Sequence, residues 1–207
     1  MSRTTIAALL AILAVSAANV PGTLILHDGF NYAGNGNLAG SYGGSGIWAG
    51  TWKADGTSIT LAEAGLAYPG LPTIGRAVEK ITGGSSMQQA SYRSWSSGAY
   101  TADGSALWFS FLFATDTPGT SGGAELRLHP VGGTNLSTGS GVYIWGNNTI
   151  SVRMEGTDSI EPRLNYDRGE SNLVVGRLDF SDTAGDDSIR VWVNPALDAA
   201  PTTGGVG

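Results

Sequence analysis

Between Ser105 and Ala114 the chain reads SALWFSFLFA, and its apolar residues alternate. In an extended strand Leu107, Phe109, Phe111 and Phe113 share one face, and Trp108, Ser110 and Leu112 the other. Three aromatic rings on one side require a core, so this segment predicts a central strand buried on at least one face. Shorter runs of the same kind recur at Leu24–His27, Ile47–Trp52, Ser58–Leu61, Arg76–Ile81, Glu125–Val131, Val142–Trp145, Ile150–Met154, Leu173–Phe180 and Ser188–Asn194. Gly, Ser, Asn and Asp separate them, with Gly supplying 32 of 207 residues. Gly146-Asn147-Asn148 reads as a tight hairpin turn, because Gly and Asn tolerate positive φ. No longer segment past the N-terminus carries the i, i+3, i+4, i+7 spacing of a helix. The expectation is an all-β chain of ten or eleven strands, an antiparallel β-sandwich or barrel.

The N-terminus reads differently. Arg3 gives a short positive start, Ile6–Val15 is an unbroken apolar run of ten, and Ser16-Ala17-Ala18 offers small residues for cleavage. That order is the pattern of a secretory leader, predicting a signal-peptide helix over 1–18 and a mature chain from near Asn19. Ten residues make about 15 Å of helix, half the depth of a bilayer core. Export through the Sec pathway follows, to the extracellular space or the cell surface, with no transmembrane segment in the mature part. The sandwich is expected over 23–195, with 196–207 a small polar tail or linker.

The charge and the missing thiols narrow the function. Eleven basic residues against seventeen acidic ones leave a net charge of −6 without a basic patch, which argues against nucleic acid and anionic membranes as partners. Cys is absent, so disulfides, thiolate metal sites and Cys nucleophiles are all excluded. Asn-x-Ser/Thr triplets stand at Asn135 and Asn147 and matter only in a eukaryotic source.

A series of motifs carries a resemblance. Asp28-Gly29-Phe30-Asn31-Tyr32 precedes Gly46-Ile47-Trp48-Ala49-Gly50-Thr51-Trp52, then Leu66-Ala67-Tyr68-Pro69-Gly70-Leu71, the strand from Leu107, Leu173–Phe180, and Val191-Trp192-Val193-Asn194-Pro195. Over roughly 26–195 this resembles exported bacterial concanavalin A-like (laminin G-like) jelly-roll proteins of the PEP-CTERM type. The resemblance implies a lectin-like jelly roll, exported or held at the surface, and names no ligand. The family's closing strands and sorting tail do not follow Pro195, so the resemblance also implies a C-terminally truncated fragment.

Catalytic patterns are weak. The Glu-x-Asp-x-x-Glu strand of related glucanases does not occur, and a carboxylate pair would have to come from distant strands, for example Glu125 with Asp179. His27 and His129 are the only histidines, and no Gly-x-Ser-x-Gly elbow opens a helix. The loop Asp182–Asp187 reads as a hairpin turn, with calcium as the alternative occupant; no cofactor is expected.

The aromatic residues carry the functional expectation. Tyr143 and Trp145 alternate with Val142 and Ile144, and Arg190 and Trp192 alternate with Ile189 and Val191. If the aliphatic residues face the core, Tyr143, Trp145, Arg190 and Trp192 point outward. Flat rings beside hydrogen-bond donors suit a sugar, whereas cover by other strands would make the same rings core. The leading expectation is a non-catalytic, lectin-like domain that binds a polysaccharide or cell-surface glycan. The alternatives are a polysaccharide hydrolase or lyase with a dispersed carboxylate site, and a matrix protein without a small ligand.

Overall fold

The structure is a computed structural model that describes residues 2–15, 23–33, 36–56, 59–72, 75–82, 89–95, 102–115, 123–128, 140–153, 160–183, 186–198, 200–201 and 205. Among these residues there are fourteen strands and no helix. In chain order the strands are β1 (Ser2–Val15), β2 (Thr23–His27), β3 (Ser45–Gly46), β4 (Trp48–Gly56), β5 (Thr60–Leu61), β6 (Val78–Thr82) and β7 (Gln89–Trp95). There follow β8 (Ala106–Thr115), β9 (Gly123–Leu128), β10 (Ser140–Trp145), β11 (Thr149–Arg153), β12 (Ile160–Asn165), β13 (Asn172–Asp179) and β14 (Ser188–Val193).

Eight strands form the larger sheet in the order β14-β13-β8-β1-β2-β3, with β6 beside β1 and β5 beside β6. Four form the smaller sheet, β12-β11-β10-β9, and β4 with β7 makes a separate ribbon. Every pairing is antiparallel. The alternation in β8 orders the core: Leu107, Phe109, Phe111 and Phe113 are all buried. They pack in one cluster with Val174, Leu178, Ile189 and Val191 of the larger sheet, and with Val142, Ile144, Ile150 and Val152 of the smaller one. The two sheets therefore face each other across this cluster, and the architecture is that of an antiparallel β-sandwich.

Close packing fixes one residue in that core. Gly176 lies opposite Phe109 in the β13–β8 ladder, and a Cβ there would stand 2.0 Å from the Phe109 ring. Only a residue without a side chain admits the ring at this point. On its other face the larger sheet is partly covered: Leu112 and Leu173 pack with Ala77, Ala62, Leu66, Tyr68 and Leu71.

Both expected hairpins form. Trp145 pairs with Thr149 across the three-residue turn 146–148, where Asn148 takes φ 68°. β13 and β14 pair in register from Val174–Val193 to Asp179–Ser188. Besides β1, three strands escaped the sequence reading. β3 is only Ser45–Gly46, β7 is mostly polar, and β12 contains Pro162, a residue that sheets accept at an edge, which is where β12 lies.

The N-terminal segment departs from expectation. Ser2–Val15 was expected as a helix and is an extended strand, with β8 on one side and β6 and β2 on the other. An unbroken apolar run has no period by which to choose between helix and buried strand. Here it has hydrogen-bonding partners along both edges, and that decides the conformation.

Candidate functional site

On the smaller sheet, Val142 and Ile144 face the core at 0% and 1% exposure, so Tyr143 and Trp145 point away from it. Both are half-buried, with ring centroids 4.2 Å apart and planes tilted by 44°. The Trp145 indole donates to Ser151 Oγ at 2.8 Å, and the Arg163 guanidinium sits 4.5 Å from the Trp145 ring centroid. Tyr143 pairs with Glu125 on β9 and with Ser151 on β11, while Gly141 pairs with Arg127 and Arg153. The face thus carries two touching rings bordered by guanidinium groups, while the Ser151 hydroxyl that accepts from Trp145 is fully buried. Its one described carboxylate, Glu125, is bonded to Arg127.

Arg190 and Trp192 also point away from the core, but from the larger sheet, since Ile189 and Val191 fill the cluster between the sheets. The four expected contact residues therefore divide between opposite outer faces. Trp192 is only 4% exposed. Its ring stacks on Trp108 with centroids 5.7 Å apart, and a methyl group added at Gly205 would meet the indole nitrogen at 2.7 Å. Arg177 completes this layer, 5.5 Å from the Trp108 centroid and bonded to Asp179. Of the two aromatic groups, the Tyr143–Trp145 pair is the more open.

A third cluster was not expected from sequence. The Asp28 carboxylate accepts from Phe30 N at 2.9 Å, Trp52 Nε1 at 3.0 Å, Arg93 at 3.1 Å and the Tyr32 hydroxyl. Burial, and then its bond to Asp28, push the Tyr32 phenol well above its ordinary value near 10. Arg93 reaches Asp28 because β4 bulges: Ala49 pairs with Ser94 and Lys53 with Tyr92, so residues 50–52 stand against Arg93 alone. The same guanidinium donates to Gly43 O at 2.7 Å and Gly50 O at 2.9 Å. It also lies 5.4 Å from the Tyr42 ring centroid and 4.9 Å from that of Trp48. Tyr42 is 71% exposed, so the cluster anchors a Gly-rich loop that presents one ring to solvent. Asp28, Tyr32 and Trp52 stood in the motif series of the sequence; Arg93 lay in a stretch with no apolar alternation to announce a strand.

Glu125 and Asp179 lie on opposite outer faces, so they cannot flank one scissile bond, and the dispersed pair suggested by sequence does not form. In the Asp182–Asp187 loop the Asp187 carboxylate accepts from Ser181 N at 2.9 Å, and Ser181 Oγ accepts from Thr183 N at 3.1 Å. Those are turn-closing bonds. Among the described residues no three His, Cys, Asp or Glu stand together as a metal site. His129 and Asn135 lie outside the described residues; Asn147 is exposed at the β10–β11 turn. No described helix is long and apolar enough to cross a membrane. No family model, curated protein or solved structure matches the chain.

Proposed function

We propose that this chain is an exported, non-catalytic, lectin-like domain that contacts a polysaccharide or cell-surface glycan through the outer face of its smaller sheet. The observation that supports the reading most is the Tyr143–Trp145 pair, outward-facing and half-buried beside Arg153 and Arg163. Rings at this pitch offer apolar area to the C–H face of a pyranose, and the guanidinium groups beside them match its oxygens. The concanavalin A-like jelly roll and the leader-directed export belong to the same proposal and rest on the sequence resemblance and on the N-terminal pattern.

Affinity electrophoresis of the full chain in gels cast with neutral and acidic plant and algal polysaccharides tests it. Retardation by at least one polymer is expected, reduced at least fivefold by Tyr143→Ala and by Trp145→Ala, with Trp145→Phe retaining most of it. Migration unaffected by every polymer, or retardation that survives both alanine variants, rejects the reading.

A further inference from the structure

β9 borders the sheet that carries Tyr143 and Trp145, and its side chains are ordered so that the strand is complementary to itself. Among the described strands it pairs with β10 along one edge and with none along the other. Ala124, Leu126 and Leu128 lie opposite Ile144, Val142 and Ser140, so they share the inward face. Leu126 and Leu128 are only half-buried against the core. Glu125 and Arg127 take the outward face and bond to each other along the strand. The border of the larger sheet at β14 differs: its Ile189, Val191 and Trp192 are already covered, at most 4% exposed.

We propose that β9 is the contact through which two copies of this chain join, antiparallel, about a two-fold axis at Leu126. A sheet that continues from one copy into the next keeps inward residues opposite inward ones, so the axis must pass through a residue of the strand. With Glu125 on the axis two carboxylates face each other, and with Arg127 two guanidinium groups, which like charges directly opposite disfavour. An axis at Ala124 or Leu128 leaves most of β9 unpaired. At Leu126 each Glu125 faces the Arg127 of the second copy, and the charges alternate around the axis. On the inward face Leu126 meets its own copy and Ala124 meets Leu128, which covers the open flank of both leucines. The joined sheet doubles the four strands of the smaller one and carries both Tyr143–Trp145 pairs on a single outer face. A border of six residues is a small contact, so the pairing is a weak and reversible one.

Sedimentation equilibrium of the full chain between about 5 and 500 μM tests this, the range that suits a small interface. A monomer–dimer equilibrium is expected. Arg127→Glu gathers four carboxylates at the axis and should weaken association at least tenfold, as should Glu125→Arg. The exchanged chain, Glu125→Arg with Arg127→Glu, is self-complementary again and should regain it. The native chain has no Cys, so a single Leu126→Cys reports the axis by itself. Under mild oxidation it should form a disulfide-linked dimer far faster than Thr149→Cys on β11. If the charge variants fail to fold, that comparison decides alone. A chain that stays monomeric throughout, assembly beyond two copies, association that survives Arg127→Glu, or Leu126→Cys linking no faster than Thr149→Cys overturns the proposal.

Discussion

The Arg93 guanidinium lies 3.1 Å from the Asp28 carboxylate, and both side chains are 1% exposed although 65 residues separate them. A pair removed from water to this degree leaves a bare charge behind when one partner is lost. Asp28→Asn and Arg93→Met should each lower stability by about 3–5 kcal/mol. The double variant should lose less than the sum. Urea unfolding of the three variants measures this, and additive losses would show that the two groups act independently.

Tyr32 gives the fold an alkaline limit. Its folded-state phenol is held above the ordinary value near 10, first by burial and then by Asp28. Below that pH both folded and unfolded forms keep the proton, and the stability linked to Tyr32 is whole. Above it the unfolded phenol ionises first, the unfolded state binds fewer protons, and stability falls as pH rises. Urea midpoints between about pH 9 and 11 should decline more steeply for the native chain than for Tyr32→Phe. Parallel declines would place the alkaline sensitivity elsewhere.

Gly176→Ala should destabilise by about 1–3 kcal/mol, because the added methyl and the Phe109 ring claim one volume. Combining it with Phe109→Leu should recover part of that loss, so a double-mutant cycle is expected to show favourable coupling. A cycle that closes to zero would mean the ring moves aside freely.

The two aromatic groups should separate in stability measurements. Trp192→Ala removes a buried ring stacked on Trp108 and should cost about 3–5 kcal/mol. Tyr143→Ala, on the more open face, should cost about 1 kcal/mol. Guanidinium denaturation of both variants reads the ranking. A reversed order would place Tyr143 in the core and remove it from any binding face.

What could be read from the chain follows from how locally each feature is encoded. The parity of β8 and the two hairpins are written in residues a few positions apart, and both sheets inherit their inward faces from that alternation. β12 was hidden by Pro162 and β7 by its polar residues, since neither edge position nor a bulge leaves a periodic trace. The outward direction of Tyr143 and Trp145 was legible, because it needs only the burial of Val142 and Ile144. The cover over Trp192 was not, because it comes from Trp108 and Gly205, on either side of it in sequence and far from β10. The Asp28–Arg93 pair depends on a bulge in a third strand, which no spacing rule foretells.

Pro162 also bears on how these molecules meet one another. The border of the smaller sheet that contains it has a ring nitrogen where a hydrogen-bond donor would otherwise stand, so a second molecule cannot continue the ladder there without a gap. Lateral growth of the smaller sheet is checked on that side, and among the described strands β9 is the border along which a second copy could lengthen that sheet.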